Sequence, residues 1–266
     1  MSMLSIKKAE LTFNKNSVNE VPVLRSLDLL VEPGEFVTIL GSNGAGKSTL
    51  FNCIGGVHEL DCGKITLDGM DITYMPEHKR ASYVGRIFQD PTKGTAQDLT
   101  IEENLSLAFL RKKIHPLSSG VKKKYSRLIA ERLSHFGMGL EDRMKQKVGL
   151  LSGGQRQAVS LLMAVIGAPK LLLLDEHTAA LDPEAAEIVM DITKKEVREN
   201  NFTAMMITHN LSAALKTGTR TIMLDGGKVI LDLSGEQREN TTIEDLMKMY
   251  SQSSGKVLDD EKMLLG

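Results

Sequence analysis

Three short strings in this 266-residue chain place glycines, a cation and carboxylates at spacings suited to phosphate chemistry. The first is Gly41-Ser42-Asn43-Gly44-Ala45-Gly46-Lys47-Ser48-Thr49. Its glycines let backbone amides turn inward around an anion, Lys47 sets a positive charge at the outer phosphates of a nucleotide, and Ser48 offers a hydroxyl to Mg²⁺. The second is Leu171-Leu172-Leu173-Leu174-Asp175-Glu176. Four leucines bury a strand, so the two carboxylates fall at its end, where an α/β sheet opens its ligand crevice. Asp175 suits a magnesium shell, and Glu176, one position further on, is free to orient and deprotonate a water. The third is Leu151-Ser152-Gly153-Gly154-Gln155. Here Ser152 can cap a helix while two glycines bare the amides behind it, which makes a second anion-binding helix end. One chain needs only one phosphate loop per nucleotide. A second phosphate-facing helix end therefore suggests that each nucleotide is shared between two chains.

The plainer readings are a glycine-rich turn for the first string and a solvated strand–turn junction for the second. Context argues against both. Residues 35–40 form an apolar strand entering the first string, and residues 47–54 have helical character after it, so a helix dipole points at the phosphates. Residues 4–13 and 23–31 alternate like half-exposed strands, and residues 63–67 before Asp68-Gly69 give another strand and turn. Thr100-Ile101-Glu102-Glu103 has capping-box spacing and opens a helix to about residue 111. Residues 121–136 form a second helix with Leu128, Ile129, Leu133 and Phe136 on one buried face. Helices at 156–166 and 184–199 alternate with continuously apolar strands at 170–174 and 203–208, the pattern of a parallel sheet covered on both faces. Residues 219–231 read as a hairpin about Asp225-Gly226-Gly227, and residues 241–250 as a last short helix.

Composition narrows the function classes. Lys and Arg number 33 against 34 Asp and Glu, for a net charge of −1, so the basic excess of a nucleic-acid binder is missing. Cys53 and Cys62 have no metal-ligand partners nearby and read as two reduced thiols. No window reaches the ~18 apolar residues of a membrane-spanning helix, and the first residues lack the apolar run of a signal peptide. A membrane role would need other chains to supply the membrane part. Lys112, Lys113, Lys122, Lys123 and Lys124 lie in a stretch, 111–127, that holds no acid. It reads either as a solvated helical face or as a patch drawn to anionic lipid or partner loops.

Taken in order, the three strings resemble those of the nucleotide-binding subunit of ABC transporters, a resemblance running from about residue 4 to about residue 231. Smaller landmarks match as well. Gln89, in Arg86-Ile87-Phe88-Gln89-Asp90, resembles the glutamine that touches Mg²⁺ and joins the core to a helical lobe. Asp182, in Ala180-Leu181-Asp182, resembles the D-loop aspartate. His209 resembles the switch histidine at the γ-phosphate, and Phe13 falls where the family stacks an aromatic on adenine. One departure is His177, where the family commonly has proline after the catalytic glutamate; the expected effect is on the turn, with the chemistry kept.

The resemblance implies an α/β phosphate-loop NTPase core with a parallel sheet, an N-terminal antiparallel β-subdomain and an inserted α-helical subdomain. Residues 1–250 would form one domain, with 1–90 and 150–250 as core, 91–149 as the helical insert and 251–266 as a flexible tail. It implies ATP and Mg²⁺ as cofactors and ATP hydrolysis as the activity. Gln89, Glu176 and His209 would be catalytic, and Ser48, Gln89 and Asp175 would hold the metal. Phe13 and Gly41 through Thr49 would bind ATP in one chain, and Ser152, Gly153, Gly154, Gln155 and Asp182 would reach it from the other. The implied partners are a second copy, transmembrane permease subunits and an extracytoplasmic solute-binding protein, with no nucleic acid, at the cytoplasmic face of the membrane. Residues 89–105 are similar to ATPases of systems that take up tryptophan or tyrosine. Two other expectations stay open from sequence alone: a soluble ABC ATPase of iron–sulfur cluster assembly, and a small-molecule kinase built on the same phosphate loop.

Overall fold

The computed structural model describes residues 2–110 and 123–255. Among these residues the strands and helices follow in the order β1 (Leu4–Phe13), β2 (Val21–Val31), β3 (Phe36–Gly41), α1 (Lys47–Gly55), β4 (Cys62–Leu67), β5 (Met70–Asp71) and α2 (Glu77–Arg80). There follow β6 (Val84–Ile87), α3 (Ile101–Leu110), α4 (Lys123–Ser134), α5 (Gly153–Val165), β7 (Leu171–Asp175) and α6 (Pro183–Glu199). The chain closes with β8 (Thr203–Ile207), α7 (Leu211–Thr217), β9 (Arg220–Asp225), β10 (Lys228–Ser234), α8 (Gly235–Glu239) and α9 (Ile243–Ser254). The described residues up to Arg80 together with those from Asn201 make one compact unit, and the described residues between Ala81 and Asn200 make the other.

In the first unit β1 pairs antiparallel with both β2 and β4, giving a four-stranded sheet in the order β2-β1-β4-β5. β3 pairs in parallel with β8 on one side and β9 on the other, and β9 turns back into antiparallel β10. Every residue of β3 and β8 is buried, which fits their mainly apolar character, with Thr38 and Thr203 as the polar exceptions. Leu40, Leu211, Ala214, Met223, Leu233, Leu246 and Tyr250 form a core that ties α7 and α9 to these strands. α9 begins with a Thr242–Asp245 capping box and ends on Gly255 in the left-handed region, so it runs four residues past the expected stop at 250. The residues of the expected flexible tail from 256 on lie outside the described residues.

Arg80 holds the C-terminal end of α1, the helix that follows the phosphate loop. Its guanidinium is buried, 1 % exposed, and donates to the carbonyls of Cys53 (2.6 Å), Ile54 (3.0 Å), Thr73 (2.9 Å) and Met75 (2.6 Å). Two of these are last-turn carbonyls that the helix itself leaves unmatched, and they carry the negative end of its dipole. Burial lowers the Arg80 pKa from its ordinary value. The same burial pushes the Cys53 thiol up to about 12, which keeps it protonated and inert, while Cys62 is exposed.

In the second unit β6 and β7 pair in parallel, Val84 opposite Leu171 through Ile87 opposite Leu174. α5 packs against β6, α3 and α6. The expected capping box at the head of α3 is present: the Glu103 amide donates to Thr100 Oγ1 at 3.2 Å and the Thr100 amide to Glu103 Oε2 at 2.8 Å. Asn104, fully buried, pins the loop before α3 by accepting from the Ala96 amide and donating to the Ala96, Leu99 and Thr100 carbonyls. In and after α4, Ile129, Leu133 and Phe136 are buried as expected, but Leu128 is 39 % exposed. It lies one residue ahead of Ile129, about 100° around the helix, and so turns off the apolar stripe. Lys112, Lys113 and Lys122 of the basic stretch lie outside the described residues.

The turn after β7 is closed by His177. The imidazole is buried, and its Nε2 sits 3.1 Å from Thr193 Oγ1, which in turn donates to the Val189 carbonyl of α6. Because the Thr193 hydrogen is committed to Val189, Nε2 carries the proton and donates. Burial lowers the His177 pKa to about 4. His177 therefore pins the turn to α6 as a neutral ring, an effect on the turn as expected.

Replacing Arg80 with alanine strands four carbonyls, three of them in buried contacts, and is expected to destabilise the fold by about 3 kcal/mol or more, with lysine restoring less than half of the loss. Urea denaturation reads both variants, and an unchanged midpoint in Arg80→Ala would contradict the clamp. His177 is uncharged in the fold and protonatable when unfolded, so its contribution is complete above about pH 6.5 and drains away as the pH falls toward 4, by roughly 3 kcal/mol. His177→Gln, which keeps a donor for Thr193, is expected to show a smaller fall in melting temperature between pH 7 and 4.5 than the parent. Identical pH profiles would contradict it.

Candidate functional site

The phosphate loop leaves β3 at Gly41, whose φ of +146° is open to glycine, and a Cβ there would come within 2.2 Å of the Leu224 carbonyl oxygen. Gly46, at φ +100°, turns the chain into α1. The turn between β9 and β10 supports the loop from behind. The Gly227 amide donates to the Ala45 carbonyl at 3.1 Å, and Ser42 Oγ donates to Asp225 Oδ1 at 3.2 Å. Tyr250 of α9 donates its hydroxyl to the same carboxylate oxygen at 3.3 Å. Lys47 is buried, and its ammonium donates to the carbonyls of Gly41 (2.7 Å) and Ser42 (3.0 Å), so the cation is folded under the loop that it would serve. Asn43, Gly44 and Ser48 are exposed along the rim.

Elsewhere in this unit His209 lies half-buried in the short loop after β8, and Asn210 caps α7 by accepting from the Ala213 amide at 2.7 Å. Phe13 ends β1 half-buried rather than in the core. Its ring meets that of His58 edge-on, with centroids 5.2 Å apart.

In the second unit the acid pair lies where the leucine strand ends. Asp175 is half-buried, and its Oδ2 accepts from Arg86 Nη2 at 3.1 Å. Glu176 takes φ +46°, an uncommon conformation for a residue with a Cβ, which sends the chain sharply off the strand direction. Arg86 also lies over the Phe88 ring at 4.7 Å, and Gln157 of α5 donates to the Phe88 carbonyl at 3.3 Å. Phe88, just before the exposed Gln89, is thus held by its ring and by its carbonyl.

The Leu151–Gln155 string opens α5 as expected. Ser152 caps the helix by accepting from the Gln155 amide at 3.3 Å, and the Gln155 side chain accepts in return from the Ser152 amide at 3.3 Å. Arg156 draws the loop ahead of the cap together by donating to the carbonyls of Gly149 and Leu151 at 3.1 and 3.2 Å. A Cβ on Gly154 would stand 2.9 Å from that of Ala185, so the glycine lets α5 and α6 approach closely. Asp182 is the N-cap of α6 and accepts from the Ala185 amide at 2.9 Å. Ser152, Gly154, Gln155 and Asp182 line one open recess of about 330 Å³ together with Gly137, Met138 and Ile188. The structure therefore brings four of the five residues expected to reach a neighbouring chain's nucleotide to one recess, and Gly153 does not line it.

Asp225, Arg86, Arg156 and Gln157 shape these segments but stand out little in the sequence. Only the Asp225-Gly226-Gly227 turn offers a signal, and it reports a hairpin without the carboxylate's target.

Known proteins are similar to this chain in sequence and fold. The family model for ABC transporters matches residues 24–179. The tyrosine transport ATP-binding protein of Clostridioides difficile is 44% identical over 248 residues, covering 93% of this chain and 98% of that protein. The methionine import ATP-binding protein MetN of Rhizobium johnstonii is 34% identical over 83% of this chain, which spans 59% of MetN. Among solved structures, the ATP-binding cassette MJ0796 in a dimeric post-hydrolysis state bound to ADP and Pi aligns with a TM-score of 0.74 at 29% identity, over 87% of this chain and 98% of that one. A nucleotide-free ATP-binding cassette from an ABC transporter aligns with a TM-score of 0.77 at 25% identity, over 94% and 99%. With a phosphate loop, a leucine strand ending in two acids and a capped Ser-Gly-Gly-Gln helix inside the matched span, this chain belongs to the ABC transporter family, as an ATP-binding and ATP-hydrolysing cassette with the α/β phosphate-loop fold.

Proposed function

We propose that this cassette powers the uptake of an aromatic amino acid, working as a homodimer beneath transmembrane permease subunits served by an extracytoplasmic solute-binding protein. The 44% identity with a tyrosine transport ATP-binding protein, over nearly the full length of both chains, supports the substrate class. No described helix is long and apolar enough to cross a membrane; in this reading other chains supply the permease and this one docks against them at the cytoplasmic face. The observation that carries the dimer is the capped helix end at Ser152. It is a second anion site besides the phosphate loop of the same chain, and it shares its recess with Asp182.

In this reading the Gly41–Thr49 amides and Lys47 of one copy grip the phosphates of ATP, and Phe13 stacks on the adenine. Ser152, Gly153, Gly154, Gln155 and Asp182 of the second copy close over the γ-phosphate. Ser48, Gln89 and Asp175 offer oxygen donors only, the chemistry that suits Mg²⁺, and Ser48 and Gln89 are exposed. These residues would hold the ion, which when bound spreads the charge of the outer phosphates. Glu176 orients the attacking water and takes its proton, and His209 donates to the transferred phosphoryl group. Phosphoryl transfer needs mainly position and charge stabilisation, and these groups supply both. Loss of the γ-phosphate removes the bridge between the copies, and the reopening drives transport.

Glu176→Gln keeps the shape of the side chain and removes the base. It is expected to bind ATP and dimerise while hydrolysing at least ~100-fold more slowly. Turnover within a few-fold of the parent would take Glu176 out of the reaction.

A further inference from the structure

The phosphate loop is secured from outside by one carboxylate. Asp225 ends β9, and its Oδ1 accepts from two hydroxyls: Ser42 Oγ, the second residue of the loop, at 3.2 Å, and Tyr250 of α9 at 3.3 Å. Tyr250 is 1 % exposed, and its ring is part of the core that holds α9 on the strands. A phenol placed there gains nothing over a phenylalanine as a core filler, and burying its hydroxyl is costly unless it is matched. The match it makes is with the residue that holds Ser42. The neighbouring contacts work in the same direction: Leu224 crowds Gly41, and Gly227 donates to the Ala45 carbonyl.

We infer that Tyr250 is a positioning residue for ATP binding, acting through Asp225 and Ser42 to make the last helix part of the phosphate-binding apparatus. The Ser42 side chain can swing away only by leaving the carboxylate. With Tyr250 donating to the same oxygen, Asp225 keeps one rotamer and presents that oxygen to Ser42. The amides that follow Ser42 are then already oriented when the nucleotide arrives, so less ordering remains to be done on binding. Tyr250 touches neither nucleotide nor water in this scheme, and its influence falls on affinity rather than on the chemical step. A change in the placement of α9, by a partner or by truncation after β10, would reach the phosphate loop along this path.

The inference rests on the proposal that residues 41–49 grip the phosphates, and Lys47→Ala separates the two. If Lys47→Ala binds ATP as the parent does, the loop assignment itself fails. If Lys47→Ala loses binding and Tyr250→Phe does not, only the role of Tyr250 fails. The experiment is titration of Mg-ATP against the full chain, with steady-state hydrolysis alongside. Tyr250→Phe, which removes only the hydroxyl, is expected to weaken ATP binding about 3- to 10-fold while leaving kcat at saturating ATP within about twofold. Ser42→Ala is expected to weaken it to a similar extent, and the double variant no further than Ser42→Ala alone, because both changes cut the same path. An unchanged dissociation constant in Tyr250→Phe, or a double variant in which the two losses multiply, overturns the inference. Should Tyr250→Phe fail to fold, Asp225→Ala removes the oxygen that Ser42 and Tyr250 share; wild-type affinity in that variant overturns the inference equally.

Discussion

A row of backbone amides can hold a phosphate only while the loop that carries them is kept from collapsing onto itself, because each amide would otherwise find a nearer carbonyl. Everything functional in the first unit follows from meeting that constraint. Gly41 and Gly46 give the loop its φ values, but glycine also gives it freedom to leave them. The restraint comes from outside, from the β9–β10 turn behind the loop, through Asp225 on Ser42 and Gly227 on Ala45. At its far end α1 is fixed by Arg80, which satisfies the last-turn carbonyls of Cys53 and Ile54. The helix is thus fastened at its C-terminal end, while its amide end continues directly from the glycine-rich loop.

The second unit meets the same requirement by different means. α5 has no glycine-rich loop folded over its head. It has a serine cap answered by Gln155, and Arg156 gathers the carbonyls of the approach. The acids at the end of β7 are treated separately. Asp175 meets a guanidinium, while Glu176 is carried off the strand axis by a left-handed turn. Two adjacent carboxylates in one environment would share one role. Placed in two environments, one can serve as a charge site and the other as a base. His177 makes that turn affordable, since its neutral ring ties the next residue to α6 through Thr193.

The sequence showed the site more clearly than the scaffold. Phosphate loop, leucine strand and capped helix were legible because each needs particular residue types at fixed spacing, and β3, β7 and β8 because strands buried on both faces must be continuously apolar. Elements held by long-range contacts were not. α7 and α8 are five to seven residues each, too short to show a period, and they depend on Arg238, which donates to the Ala214 and Leu215 carbonyls and to Thr221 Oγ1. The four-residue β6 gives no alternation either, though its Arg86 proves to be the partner of Asp175. Leu128 was placed on a buried face by counting apolar residues, and a shift of one position around the helix put it outside. Asp225 illustrates the limit most plainly: its neighbours Gly226 and Gly227 announce a turn, while its partners Ser42 and Tyr250 lie 183 and 25 residues away in the chain.

The central claim is that one nucleotide is held by the phosphate loop of one copy and the Ser152 helix end of another. Mixed dimers test it most directly. Lys47→Ala disables the loop, and Gly153→Asp sets a negative charge at the helix end, where the added Cβ meets only the flexible tip of Leu181 at 3.1 Å. Each variant alone is expected to trap no ATP. If the pocket is shared, mixing them leaves one pocket per mixed dimer with both halves intact, and one ATP per such dimer is expected in a nucleotide-dependent dimer peak. If each chain completes its own pocket, every copy in the mixture is defective, and a mixture that traps no more ATP than its parents would contradict the account.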